Sequence, residues 1–340
     1  MRVVVLGAAG AVGSHAAAAL RREGHEVIVA SRRPDALAWP AESRIAVDLE
    51  SAAPLDAVPD CDVLVNCAGP SHRFTPAVAL AAVERGWCVV DPGGDAQTAC
   101  RLGPVAVACG RTLVLGAGVQ PGLAVSALRA VLAEARFDVT EARVACGGLQ
   151  RLTIASVDEY LAAAHDSLAG VGRRLRGGVV ERVTPTDAGR APGCFPASAT
   201  QHVNLDTEAL TAARLAGLDD LTWFNMIDAP RSSAVLVQLL TGGASREEAL
   251  QAARADISGR EPYFRIEVQV SSDGGETMRL TIAATDSYAL TGAIVAAAVA
   301  GIVERPAGAV LASLTGEDPL QWVDAAARIA DVAWAQEEEL

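Results

Sequence analysis

The chain contains no lysine: every one of its 28 basic residues is arginine. No side-chain amine can therefore serve as acid, base or Schiff-base former, which removes one common solution for amine and carbonyl chemistry. Basic charge is also in deficit overall. A formal charge of −13 leaves no basic face for a nucleic-acid partner. No GxSxG elbow and no Walker loop occur, which excludes the common serine-hydrolase and nucleotide-hydrolase solutions. The longest apolar helix candidate, Ala289–Val303, is broken by Thr291, Gly292 and Gly301 and is too short to span a bilayer comfortably. Seven cysteines (Cys61, Cys67, Cys88, Cys100, Cys109, Cys146, Cys194) include no CxxC or zinc-ligand spacing, so no metal is expected. They read as buried thiols of a reducing compartment. The N-terminus enters a strand at once, without room for a signal peptide, so the expected location is the cytoplasm.

What is present begins at residue 2. The run Val3–Leu6 reads as a buried strand, and it ends in a turn with Gly7, Gly10 and Gly13 at three-residue spacing. An Ala-rich helix, Ser14 to Arg22, follows. Strand, glycine turn and helix in that order form a phosphate cradle: Gly7 permits the turn, Gly10 lets a pyrophosphate approach, and Gly13 allows close helix packing. The alternative is a glycine-rich turn in an empty α/β domain. The next strand, Glu26–Ala30, ends in Ser31-Arg32-Arg33. A site for NAD places an acid near this point, on the ribose 2′-hydroxyl. Two guanidiniums and a hydroxyl suit a 2′-phosphate instead, so NADP(H) is expected. The plainer reading of Arg32 and Arg33 is surface charge.

Further strands are expected at Arg44–Val47, Val63–Asn66, Cys88–Asp91 and Thr112–Leu115, with helices at Thr75–Arg85 and Asp95–Cys109. The alternation predicts an α/β fold with a parallel, doubly wound sheet. Polar or glycine clusters end these strands and should line one crevice: Asp48, Asn66–Pro70, Asp91–Asp95 and Gly116–Gly118. The expected cofactor contacts are Gly7, Ala9, Gly10, Ala11, Val12, Gly13, Ser31, Arg32, Arg33, Asp48, Cys67, Ala68, Gly69, Pro70 and Gly118. Beyond Gly122 the pattern changes. A helix is expected at Leu123–Glu134 and a strand near Val139–Cys146, followed by a long irregular region from Gly147 to about Asp206. Strands return at Thr222–Ile227, Phe264–Ser271 and Thr277–Ala284, the last two joined by the hairpin signal Ser272–Glu276. From Tyr288 the chain reads as helical. The expected domains are 1–122 with 287–340 for the dinucleotide, and an α+β substrate and dimerisation domain at 123–286.

These clusters together resemble the saccharopine dehydrogenase-like family, which includes saccharopine reductases and carboxynorspermidine dehydrogenases. The matching residues are Gly7–Gly13, Val63–Pro70, Val89–Asp95 and Gly116–Gly122, with a weaker echo in Asp286–Gly292. The resemblance implies a Rossmann domain joined to an α+β substrate domain. It also implies a nicotinamide cofactor used to make or break secondary amines through an imine. The chain departs from the family at Gln120, where members often carry an acid, and at Asp95, where a longer Glu is common. An imine reductase acting on a different small molecule, in specialised metabolism, is what the resemblance then leaves.

Reduction of C=N or C=O needs a proton donor beside the hydride acceptor. With lysine absent, the candidates are His72, Asp91, His202 and Tyr288. Asp95 is either a substrate contact or the N-cap of the next helix. His15, His25 and His165 read as packing or surface residues, and Arg173, Arg174 and Arg176 as a solvated face. A homodimer is expected. Two rival functions remain: a dinucleotide-sensing regulator without a catalytic donor, and an epimerase or lyase that keeps NAD bound.

Overall fold

Six short apolar runs become parallel strands: β1 (Arg2–Leu6), β2 (Glu26–Ser31), β3 (Arg44–Ala46), β4 (Val63–Asn66), β5 (Cys88–Val90) and β6 (Thr112–Leu115). β4 and β6 are buried at every residue, as parallel strands covered on both faces must be. Helices α1 (Ala11–Arg22), α2 (Ser71–Glu84) and α3 (Ala96–Cys109) connect them. The computed structural model describes residues 1–166, 170–184, 186–193 and 195–338.

The chain forms two units, Met1–Leu123 with Tyr288–Gly316 and Ala124–Ser287 with Glu317–Leu340. In the first, the sheet order is β14-β6-β5-β4-β1-β2-β3, with β14 at Gly308–Leu311. All six pairings are parallel. The chain winds outward from β1 to β3 on one side and from β4 to β6 on the other, so the order reverses between β1 and β4. A crevice for a ligand opens at the carboxyl ends of strands at such a point. The late helix α9 (Ser287–Val299) lies on α1: a Cβ at Gly292 would stand 2.7 Å from the His15 Cβ. Thr112 ties β6 to the segment before β14 through the carbonyls of Arg305 (3.2 Å) and Pro306 (3.0 Å).

The second unit starts with α4 (Ala124–Glu134) and β7 (Glu141–Leu149), then α5 (Ile154–Asp166), β8 (Arg173–Arg176), β9 (Val179–Arg182) and β10 (Thr200–Val203). α6 (Thr207–Leu215), β11 (Asp220–Ile227), α7 (Pro230–Leu240) and α8 (Arg246–Ile257) follow. The hairpin β12 (Tyr263–Ser271) and β13 (Glu276–Ala284) comes next, and α10 (Leu320–Ala327) and β15 (Asp331–Glu338) close the unit. The mixed sheet runs β15-β13-β12-β7-β11-β8-β9, with β10 also on β11. α4 covers one face over β7, β12 and β13. Ser272 sets the hairpin turn, its hydroxyl accepting from the Gly274 and Glu276 amides at 3.2 Å. α7 lacks a side-chain cap of its own. Asp256 of α8 serves instead, accepting from the Ser232 amide (2.8 Å) and hydroxyl (2.9 Å).

Four sequence expectations need correction. The region from Gly147 to Asp206 holds α5 and β8–β10 rather than irregular chain, and Arg173, Arg174 and Arg176 lie on β8. From Tyr288 on, the chain is not all helix, because β14 and β15 are strands. Residues 317–340, assigned to the dinucleotide domain, belong to the second unit, where β15 pairs with β13. Finally, Cys100 and Cys109 are exposed on α3, whereas Cys61, Cys88 and Cys146 are buried; Cys194 lies outside the described residues. The side chain of His165 lies outside them as well. Among the described residues, no helix is long and apolar enough to cross a membrane.

Candidate functional site

The turn after β1 is built by backbone contact. Gly7 has φ 70°, and a Cβ there would stand 2.7 Å from the carbonyl of Cys67. A Cβ at Gly13 would stand 2.3 Å from the Gly7 carbonyl oxygen, so the helix can sit this close to β1 only with glycine. At Gly10 the same atom would meet only the Gly7 oxygen, at 3.1 Å; the rest of its surroundings are open. Gly10 is also the N-cap of α1. No side chain caps this helix end and its first turn holds no acid, so the amides of Ala11, Val12 and Gly13 keep their positive end uncompensated. Ala9 lies exposed at the tip of the turn.

At the end of β2, Ser31 is buried, and its hydroxyl accepts the Arg33 amide at 3.1 Å. The Arg32 and Arg33 side chains are exposed, and neither forms an ion pair among the described residues. The segment that follows β2, Arg32-Arg33-Pro34, contains no acid. Asp48, two residues past β3, is exposed and accepts the Glu50 amide at 3.1 Å.

Beyond β4, β5 and β6 the loops are braced on one another. The Asn66 amide donates to one oxygen of Asp91 at 2.6 Å, and the Gly93 amide donates to the other at 2.7 Å. Both side chains are almost fully buried. The Asn66 carbonyl oxygen turns back to accept the Ala68 amide at 3.3 Å, so one side chain shapes the loop Cys67-Ala68-Gly69-Pro70 and holds Asp91. Gly116 donates to the Gly93 carbonyl at 2.8 Å. Gly118 lies against the Pro92 carbonyl, 2.9 Å from where its Cβ would be. Burial, and then the Asp91 carboxylate, push the Cys67 thiol well up.

The four candidate donors fall in different settings. His72 is exposed on the first turn of α2, directly after the Asn66–Pro70 loop, with no hydrogen-bond partner among the described residues. Asp91 is the buried brace just described. Tyr288 is half-buried on the first turn of α9, in the same unit. His202 belongs to the second unit, exposed on β10, with Nε2 3.2 Å from the Thr200 hydroxyl. Asp95 is the N-cap of α3, accepting the Thr98 amide at 2.7 Å. The Asn66–Asp91 contact was not anticipated; its one signal is a polar residue closing each of two neighbouring buried strands.

A parallel sheet in the order 3-2-1-4-5-6, an open glycine turn and a helix end aimed at the crevice define a Rossmann-type dinucleotide-binding fold with a second α+β unit. Over residues 3–79 the sequence matches the NAD dependent epimerase/dehydratase family. The whole chain shares its fold with apo saccharopine dehydrogenase (L-Glu forming) from Saccharomyces cerevisiae. The TM-score is 0.67 at 16% identity, covering 98% of this chain and 99% of that one. A meso-dapdh mutant with DAP from Clostridium tetani E88 is also similar, with a TM-score of 0.50 at 15% identity, covering 95% and 98%. No curated protein matches the sequence.

Proposed function

We propose that this protein is an NADPH-dependent oxidoreductase that reduces the C=N bond of a small substrate. The observation that carries the reading is the open turn at Gly10 beside a β2 end that presents Ser31, Arg32 and Arg33 and no acid. The cradle fits a dinucleotide: Gly7 to Gly13 would hold the pyrophosphate on backbone amides, and the two free guanidiniums would take the 2′-phosphate. Asp48, the Cys67–Pro70 loop and Gly118 would line the remainder of the cofactor. When bound, NADPH supplies a hydride.

The chain must supply position and a proton. His72 is the first choice as donor, because its ring is exposed and uncommitted beside the Asn66–Pro70 loop; Tyr288 is the second. Asp91 is buried and receives two N–H groups, so we assign it to holding the loops rather than to proton transfer. His202 would act from the second unit, which we assign to substrate binding and to a homodimer. A cytoplasmic location and a role in specialised metabolism complete the reading.

The test is affinity for NADPH and NADH, measured by fluorescence titration, in the unaltered protein and in Arg32→Ala. NADPH should bind more tightly, and the substitution should weaken NADPH alone by about ten- to a hundredfold, the worth of one charge-assisted phosphate contact. Equal affinities in the unaltered protein would overturn the cofactor assignment. The epimerase/dehydratase match over residues 3–79 favours a second reading, with bound NAD and no net redox change. Cofactor retained through purification, without NADPH consumption on any imine, would select it.

A further inference from the structure

The second unit carries an arginine-lined cavity for which the dinucleotide reading has no use. It holds about 670 Å³ over the face of the mixed sheet not covered by α4, between the strand residues Arg143, Gln269 and Arg279 and the loop Gly189–Gly193. Three arginines (Arg143, Arg190 and Arg279) line it, and no acid does, although the chain as a whole is strongly acidic. Such a concentration of one charge within a field of the other is a local device.

The loop is fastened with unusual care. Arg143 donates to the carbonyls of Ala188 and Arg190, both at 2.7 Å, pairs with Glu141 at 3.0 Å and stacks over Phe224. Gln201 grips it a second time, accepting the Ala191 amide at 2.9 Å and donating to the Gly189 carbonyl at 2.6 Å. The clamp leaves other donors idle. Arg190 and Gln269 have no side-chain hydrogen bond among the described residues, and Arg279 makes a long ion pair with Glu337 at 3.9 Å.

Under the loop lies Glu267, 6% exposed. Its neighbours on the adjacent strands are Ala145 and Thr281, and the Thr281 hydroxyl donates to it at 2.6 Å, its one hydrogen bond among the described residues. Gly193 closes over it so tightly that a Cβ would stand 2.3 Å from the Glu267 Cγ. Burial pushes this carboxyl up, against the opposing pull of Thr281, Arg265 and Arg279.

We propose that this cavity binds a small organic carboxylate, held by Arg279, Arg190 and the Gln269 amide. Planar guanidinium and carboxamide donors match a carboxylate better than a spherical anion. The site stands independently of the dinucleotide, so its failure would leave the cofactor reading untouched.

Isothermal titration of the full chain with glutarate as probe, and with inorganic phosphate as comparison, tests it. Glutarate should bind saturably and more tightly than phosphate. Arg279→Gln, at an exposed position where folding should survive, should weaken it about tenfold or more, and Arg190→Gln should weaken it independently. Affinity should fall as pH rises through the titration of Glu267, whose ionisation sets a negative charge beneath the loop that borders the ligand. Glu267→Gln should keep binding and lose that pH dependence. Absent glutarate binding, unchanged affinity in both arginine variants, or phosphate binding as tightly as glutarate would each overturn the proposal.

Discussion

Adding one methyl group at Gly10 and at Gly13 separates the fold of the glycine turn from its proposed use. At Gly13 the new Cβ would overlap backbone on two sides, 2.3 Å from the Gly7 oxygen and 2.9 Å from the Ala8 Cα. Neither neighbour is the end of a flexible side chain, so α1 must shift away from β1. Overpacking of this kind costs about 1–3 kcal/mol. For a unit of this size, that is a fall in Tm of roughly 3–10 °C. At Gly10 the methyl meets one oxygen at 3.1 Å and otherwise open space, on backbone with φ −81° that any residue adopts. The cost to the free protein is then mainly the poorer N-cap, about 0.5 kcal/mol. That open space is where the phosphates would lie. Displacing them from one or two backbone amides should cost about ten- to a hundredfold in NADPH affinity. Thermal unfolding by circular dichroism, paired with NADPH titration of each variant, reads both quantities. Gly13→Ala should lose stability, and Gly10→Ala should keep it and lose the cofactor. A Gly10→Ala protein that binds NADPH normally would refute the placement of the pyrophosphate.

Asn66→Ala should lower stability by about 1–3 kcal/mol, because it strips a buried carboxylate of a donor, and the loss is readable as a shifted urea midpoint. Asp256→Ala should cost about 1–2 kcal/mol in the same assay, since α7 loses the side-chain cap that Asp256 provides. Asp228 sets an acid limit. Burial pushes its carboxyl up, but the hydrogen bonds from Arg260 and Tyr263 outweigh that and hold it below the usual carboxylate range. Its folded-state pKa is depressed, so its contribution is complete above the unfolded value near about 4 and is lost as pH falls through the folded value. Tyr263→Phe, which removes a 2.9 Å bond, should cost about 1–2 kcal/mol at neutral pH. The same variant should move acid unfolding to higher pH, as followed by tryptophan fluorescence.

The first unit was legible because its strands are covered on both faces. Val3–Leu6, Val63–Asn66 and Thr112–Leu115 read as unbroken apolar runs punctuated by glycine or polar ends, which no solvated element would show. The hairpin at Ser272–Glu276 was legible for its turn residues. What escaped notice lies at sheet edges. Arg173–Arg176 and Val179–Arg182 are polar and half solvated, so neither apolar run nor clean alternation marks them, and β15 ends in acids that look like a tail. These strands exist because a partner offers a ladder, as β13 does for β15 from Glu276 to Ala283. The site divides similarly. Glycine spacing marks the turn, but the brace between Asn66 and Asp91 depends on two strands 25 residues apart becoming neighbours.

The late arrival of β14 has a consequence for biosynthesis. Residues 1–123 emerge from the ribosome with six of the seven strands of their sheet, and β6 is then an edge whose four residues are all destined for burial. Its partner, and the helix that covers α1, are more than 160 residues behind. At about 5–20 residues per second, this bare edge lasts for roughly ten to forty seconds, an invitation to pair with another nascent chain. The segment that ends the exposure is one short strand, Gly308–Leu311. A chain that stalls anywhere between Ala124 and Ser287 leaves the first unit unfinished and adhesive.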